Sequence, residues 1–304
     1  MSSSEAFCCG IDLGGTKLAA ALGDSSGALL QEFVEPTDPR GGLHVAEQLV
    51  AAVRRLGAMT EGLRGEVSAV VVGVPGVVAP RSQRISQIPH IRGFEDLDVA
   101  AFLSDRLGTR IELHNDVNLA MLGEHALGGA VGCQHAAFLS LGTGAGLGLL
   151  LNGRLFSGAT GAAGEIADLP QGRLSDGMTV TLEAEVGSQA TVDRYRRAGG
   201  TGVSTVRELF TRANDGDAVA GRVLDETARH VAQAIVALQS ILDLERVVLG
   251  GSIGVRPELL LRIERAIGAL THRPIRIGPS ELGDRAGLRG ALWAAGLALR
   301  AGSA

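Results

Sequence analysis

The sequence predicts an α/β protein made of two similarly built halves, and three observations lead there. Short apolar runs of strand character alternate with segments whose apolar residues recur every three or four positions, the alternation that builds layered α/β domains. The stretches "FCCGIDLGGTKLAAALGD" and "HAAFLSLGTGAGLGLLLNGRLFSG" each read as strand, glycine turn, strand, and their turn glycines Gly14 and Gly144 lie 130 residues apart. Two continuous apolar runs, "VSAVVVGVPG" and "ERVVLGGSIG", end in Pro75-Gly76 and Gly250-Gly251, the pattern of a buried central strand meeting a loop.

Taken in order, the first hairpin is followed by a third strand in "ALLQEFVEP" and an amphipathic helix from Gly42 to Leu56. After the run ending at Gly76, "LDVAAFLSDRLG" reads as a short helix closed by Gly108, and "RIELHND" as the next strand. The second half repeats the plan. Its hairpin and third strand are followed later by a long helix in "AVAGRVLDETARHVAQAIVALQSILDL", the strand at Val247, and helices in "PELLLRIERAIGAL" and "LRGALWAAGLALRAG". The reading places one lobe at residues 1–116 plus 290–304, with the last helix packing back on the first half, and the other at 117–289. The repeated hairpin suggests an internal duplication.

Totals narrow the function. At 304 residues, 45% hydrophobic and 20% charged, the chain has the size for two domains and a substantial core. A net charge of −5 without a basic run disfavours nucleic acid as a partner. No apolar stretch approaches the ~20 residues of a membrane span. "MSSSEAF" lacks the pattern of a signal peptide. Three cysteines without metal-type spacing fit a reducing cytoplasm. Cys8, Cys9, Phe138 and Trp293 read as core, and His90 as a solvated loop residue.

The chemistry concentrates in three places. Glycine turns let backbone N–H groups converge, and such nests bind anions. Gly14, Gly15, Thr16 and Lys17 form one turn with a hydroxyl and the chain's only lysine; Gly142, Thr143 and Gly144 form the other. Asp12 beside the first turn is suited to orienting Mg²⁺ on a phosphate, and Gly250-Gly251 to letting an adenine lie against backbone. The spacing is neither that of a Walker A loop nor of a dinucleotide fingerprint. In "HNDVNLAMLGE", Asp116 is either the N-cap of a helix or a base that accepts the proton of a phosphoryl acceptor. Glu165, Asp168 and Glu183 are either surface acids or a ring of carboxylates around sugar hydroxyls or a cationic sugar group.

With "DLGGTK", "VGVPGVV", "NDVNLAMLGE", "LGTGAGLG", "SGATGAAGEI" and "VVLGGSI" in this order, the chain resembles the ROK family (repressors, open reading frames, kinases) over nearly its whole length. The resemblance implies an actin-like ATPase fold of the ribonuclease H-like type, two lobes with a cleft between them, and transfer of the γ-phosphoryl of MgATP to a hexose, usually at O6. It implies that Asp116 is the catalytic base and that Asn115, Glu165, Glu183 and Gly76 face the sugar. Thr16, Lys17, Thr143 and Gly144 match phosphate-contacting segments, Gly250 and Gly251 the adenosine segment. A homodimer is the family expectation.

Departures from the family pattern sharpen the reading. Where most members continue as Gly-Glu-Ile-Gly-His and then carry a zinc-binding cysteine cluster, this chain has "GEIADLPQGRLSDGMTVTLEAE". Asp168 stands at the histidine position, and the missing thiolates remove the structural zinc site. A further carboxylate beside Glu165, Asp116 and Glu183 calls for a cation. The expectation is an amino sugar such as glucosamine or 3-amino-3-deoxyglucose (kanosamine), as for the zinc-free kanosamine kinases of antibiotic pathways. The rivals are a glucokinase acting on neutral glucose, an acylamino-sugar kinase, a polyphosphate-dependent kinase, and a non-catalytic sugar sensor. A repressor is disfavoured because a strand begins by Phe7, before any helix-turn-helix.

Overall fold

The computed structural model describes residues 5–59, 65–88, 91–173 and 177–302. Strands β1 (Glu5–Leu13), β2 (Lys17–Gly23) and β3 (Leu29–Pro36) are followed by helix α1 (Gly42–Ala58) and strand β4 (Gly65–Val74). A small hairpin of β5 (Val77–Val78) and β6 (Ile85–Ser86) leads to α2 (Val99–Leu107), β7 (Arg110–Asn115) and α3 (Asp116–Leu127). Next come β8 (Ala136–Leu141), β9 (Ala145–Leu151), β10 (Arg154–Leu155) and a second hairpin of β11 (Pro170–Arg173) and β12 (Thr179–Thr181). Helices α4 (Leu182–Val186), α5 (Ser188–Arg197), α6 (Val206–Asn214) and α7 (Ala218–Leu242) precede β13 (Arg246–Gly250) and the short α8 (Gly251–Gly254). Helix α9 (Pro257–Leu270), β14 (Ile277–Pro279) and α10 (Ala286–Gly302) complete the order. Among the described residues, no helix is long and apolar enough to cross a membrane.

The chain divides into two compact units. One comprises Met1–Leu127, Leu155–Ala163 and Arg285–Ala304; the other comprises Gly128–Arg154 and Gly164–Asp284. The first unit extends past the bound at 116 read from the sequence, and it takes in α10 from its start. Its five-stranded sheet runs β3-β2-β1-β4-β7, and that of the second unit β10-β9-β8-β13-β14. In each, an antiparallel hairpin is joined to two strands that run parallel to its first strand. The two orders match position by position, as an internal duplication requires.

Strand alternation decides what each face of β1 does. Phe7, Cys9, Ile11 and Leu13 point into a core shared with Val45, Leu49 and Val53 of α1. Cys8, Gly10 and Asp12 share the other face, against α10. A Cβ on Gly10 would lie 2.3 Å from the backbone nitrogen of Leu292, and one on Gly287 would lie 2.8 Å from Asp12 Oδ2. Helix α3 approaches α10 as closely. A Cβ on Gly290 would lie 1.7 Å from the Leu119 carbonyl oxygen, and one on Gly123 2.4 Å from that of Ala286. These contacts hold α3 and α10 in the first unit. Burial pushes the Cys8 thiol up to about 11 and the wholly buried Cys9 thiol up as well, so both behave as core groups. Trp293, by contrast, is only half-buried, with the Arg300 guanidinium 6.0 Å from its ring centroid; α10 turns that position away from the core it was expected to join.

The second unit packs α7 and α9 over its sheet. Val223, Leu224, Val231 and Ile235 of α7 recur at helical spacing in one core with Leu259 and Ile263 of α9 and Val247 and Leu249 of β13. Asp217 caps α7 by accepting the N–H groups of Val219 and Ala220 at 2.8 and 3.0 Å. Phe138, read as core, is buried, and its ring lies where a side chain on Gly250 would be.

Gly290→Ala is predicted to destabilise the protein by about 3 kcal/mol, the upper range for overpacking a tight contact. Gly268→Ala, on α9 with open space around it, should stabilise by roughly 0.5–1 kcal/mol through helix propensity. Urea unfolding of the two variants should therefore give midpoints displaced in opposite directions.

Candidate active site

In the first unit, the candidate residues gather at the carboxyl ends of the parallel strands, where ligands bind in open α/β sheets. Asp12 is near the end of β1 and pairs in register with Gly73 of β4; Gly73 in turn pairs with His114 of β7. Gly73 has no side chain to hold Leu119 and the Asp116 backbone away: a Cβ there would be 2.9 Å from Leu119 Cδ1 and 3.6 Å from Asp116 Cα. Gly287 lets Asp12 lie against the first turn of α10, the end of a helix that favours a negative charge.

The Gly14–Lys17 turn is tight, with the Gly14 N–H donating to the Lys17 carbonyl at 2.8 Å. Thr37, just past β3, clamps it from behind. Its hydroxyl donates to the Gly14 carbonyl at 2.7 Å, and its N–H to the Thr16 carbonyl at 3.1 Å. Three carbonyls are thus turned inward and occupied, while Thr16 and Lys17 stay exposed. Thr37 is buried, and nothing in the spacing of "EPTDPR" marks it as part of this turn.

The sequence left Asp116 between cap and base. The structure gives the capping to its neighbour: Asn115 Oδ1 accepts the Asn118 N–H at 3.0 Å, while Asn115 Nδ2 donates to the Gly76 carbonyl at 3.0 Å. One amide therefore ties the helix start to the Gly76 loop. Gly76 itself has φ of 98° and lies 2.6 Å, at its absent Cβ, from the Ser86 carbonyl, so no other residue fits. Asp116 Oδ1 accepts the Val117 N–H at 2.9 Å, which fixes the carboxylate at the first helical position. A cleft of about 400 Å³ opens beside Asn115, bordered by Val78, Gln83, His114, Asn118 and Ser157.

In the second unit, the Gly142–Gly144 turn closes with the Gly142 N–H donating to the Gly144 carbonyl at 2.9 Å. The first N–H of α5, on Ser188, holds the Gly142 carbonyl at 2.9 Å. Glu183 covers the turn. Its Oε2 accepts the Ala145 N–H at 3.1 Å, and the carboxylate occupies the place of a side chain on Gly144. Gly251, φ 75°, abuts the Leu141 carbonyl, and Ser252 Oγ comes within 3.6 Å of the Cβ position of Gly142. The second glycine segment thus adjoins the turn. Inside the unit, the Phe138 ring and the Leu141 carbonyl demand glycine at 250 and 251.

Gly164 places Glu165: at φ 98° its α-carbon faces the Leu147 carbonyl of β9, and its own carbonyl accepts the Leu147 N–H at 3.2 Å. Buried Ile166 then anchors a single 3₁₀ turn, Ile166–Asp168. The Glu165 carboxyl is held above its ordinary range, first by burial, then by the charges of Asp168 and Glu183, and all three influences act in one direction. Glu165, Asp168 and Glu183 therefore form one electrostatic patch that also borders the glycine turn; Asp168 and Glu183 are exposed, and Glu165 is partly desolvated while one side of it stays open to solvent. Among the described residues, no group of three or more histidine, cysteine or acidic side chains could hold a metal ion. His90, singled out in the sequence, lies outside the described residues.

Comparison with known proteins gives the family of the chain. The family model described as "ROK family" matches residues 8–297. The N-acetylmannosamine kinase of Yersinia pseudotuberculosis is 32% identical, over 93% of this chain and 97% of that protein. Among solved structures, a ROK hexokinase from Thermus thermophilus superimposes with a TM-score of 0.80 at 32% identity, covering 97% of this chain and 99% of the other. A ROK family glucokinase from Streptomyces griseus, in complex with glucose and AMPPNP, gives 0.76 at 26% identity, covering 95% and 99%. With the actin-like ATPase fold of those kinases and a family match along almost its entire length, the chain belongs to the ROK family.

Proposed function

We propose that the protein is an ATP-dependent sugar kinase whose acceptor is a hexose carrying a free amino group. The observation that carries the amino-sugar reading is the patch of Glu165, Asp168 and Glu183, in which Glu165 is raised by burial and by both neighbours. Like charges at one site cost free energy that a bound ammonium offsets. Sugar kinases among the relatives, one of them holding a nucleotide analogue and glucose, support the phosphoryl-transfer part.

In this reading the Gly14–Lys17 and Gly142–Gly144 turns hold phosphates through backbone N–H groups, with the Lys17 ammonium and the Thr16 and Thr143 hydroxyls beside them. Gly250 and Gly251 border the nucleoside. Asp12 would hold Mg²⁺ together with the phosphates, and the ion would neutralise charge on the transferred group. Asp12 fits such a role: it is a carboxylate at a strand end, and Mg²⁺ commonly takes only one or two protein carboxylates.

Asp116 accepts the proton of the acceptor hydroxyl, taken as O6. The hydroxyl oxygen forms a bond to the γ-phosphorus, the bond from that phosphorus to the bridging oxygen breaks, and ADP leaves with that electron pair. The Val117 N–H keeps the Asp116 carboxylate oriented for this step. Asn115 and Gly76 shape the sugar side. Glu165 and Glu183 accept hydrogen bonds from sugar hydroxyls, and Asp168 pairs with the ammonium. A neutral hexose is the second reading, favoured by the glucokinase among the relatives.

Asp116→Asn should lower kcat by roughly 10²–10⁴-fold, the worth of a positioned general base, with sugar affinity changed far less. Steady-state kinetics with a coupled ADP assay reads this directly; near-normal turnover would return Asp116 to a structural role. Asp168→Asn should reduce kcat/KM for 3-amino-3-deoxyglucose or glucosamine by at least tenfold while leaving glucose almost untouched. Equal efficiency of the unaltered protein on glucose and both amino sugars would remove the amino-sugar reading.

A further inference from the structure

Behind the carboxylate patch of the second unit lies a buried ionic network that the proposed chemistry does not use. Arg194 of α5 is 8% exposed. It donates to the Thr227 hydroxyl at 3.1 Å, to the Glu185 carbonyl at 2.9 Å and to the Glu185 carboxylate. His230 of α7 is 7% exposed. Its Nε2 lies 2.9 Å from Arg229 Nη2, a group that only donates, so Nε2 accepts and Nδ1 carries the proton. Nδ1–H then donates to Gln171 Oε1 at 3.0 Å. This neutral ring agrees with a pKa lowered to about 4, first by burial and then by Arg229 and Arg194.

The two ends of this network grip the span between two proposed sugar ligands. Gln171 is on β11, three residues after Asp168, and Glu185 is on α4, two residues after Glu183. That span is weak by itself. β11 and β12 form a two-stranded sheet of their own, and such hairpins are marginal in isolation. Helix α4 has five residues, too few to persist unaided. The Leu182 N–H to Leu169 carbonyl bond, 2.8 Å, closes the span but does not attach it to the helices behind. Leu182 and Val186 seat α4 in the core shared with α7, and Arg194 and His230 add the polar attachments at Glu185 and Gln171.

We propose that Arg194 and His230 are positioning residues that hold the Asp168–Glu183 span against α5 and α7 and thereby set sugar affinity without touching the sugar. The inference rests on the kinase reading above for its kinetic consequence, but not for its structural one. His230→Leu removes the donor to Gln171, Gln171→Ala removes the acceptor from a partly exposed position, and His230→Asn keeps an N–H near the place of Nδ1.

The test combines kinetics with hydrogen exchange on the full chain. His230→Leu and Gln171→Ala are expected to raise sugar KM about tenfold, with kcat and the KM for ATP within twofold of the unaltered protein. His230→Asn should restore sugar KM to within about twofold. Amide exchange in peptides covering 166–173 and 179–186 should accelerate in the two loss variants and not in α9. Loss variants with lower thermal stability but unaltered sugar KM and unaltered exchange in those peptides would overturn the proposal, as would equal rises in both substrate KM values. If the unaltered protein phosphorylates no sugar, the kinase reading fails. The exchange data then still decide whether the network holds the span, with unchanged rates overturning it.

Discussion

The first unit depends on one constraint: three backbones must come closer than side chains allow. Helix α10 lies on β1 at Gly10 and Gly287 and on α3 at Gly123 and Gly290, with most of these contacts against backbone atoms. Apolar burial alone does not select such an arrangement, because Leu292, Leu288 and Leu119 could fill a looser interface equally well. Glycine makes the close approach possible, and that approach fixes two carboxylates. Asp12 rests against Gly287 at the start of α10, and Asp116 begins the helix that Gly290 holds. The same logic runs through β4, where Gly73 allows Leu119 and the Asp116 backbone to lie over the sheet. The placement of both carboxylates in this unit depends on missing side chains.

The second unit repeats the sheet order and solves the equivalent problem differently. Its strand ends carry glycine turns pinned by backbone groups, Gly251 under the Leu141 carbonyl and Gly142 by the first N–H of α5. The carboxylates there come from loops, a 3₁₀ turn and a five-residue helix rather than from strand ends. Loops free to vary on a rigid sheet are where specificity is expected to reside. The buried Arg194 and His230 contact these short elements at Glu185 and Gln171.

Much of the fold was legible because it rests on local patterns. The glycine turn marked the β1–β2 hairpin, the three- and four-residue spacing marked α1, and Gly108 closed α2 as expected, in a left-handed conformation. Less legible were β11 and β12, which are very short, and α5 and α6, whose apolar residues are few among polar ones. Asp116 illustrates the limit within the site. The cap rule applied to the right dipeptide, but Asn115 takes the cap, and only the hydrogen bonds to Asn118 and Gly76 reveal it. Thr37 and Gly287 escaped notice for the same reason: each acts on a residue more than twenty positions away. Gly250 and Gly251 were read through a ligand, and the spacing did not show that Phe138 and the Leu141 carbonyl also demand glycine there.

The central claim is that the two turns and Asp116 serve transfer of a phosphoryl group to a carbohydrate. Phosphorus-31 NMR of the protein with ATP, Mg²⁺ and 3-amino-3-deoxyglucose tests it most directly, because it distinguishes transfer from hydrolysis. The account predicts a phosphomonoester resonance coupled to sugar protons, growing in step with ADP. ADP accompanied only by inorganic phosphate, with glucose and glucosamine giving the same result, would contradict it.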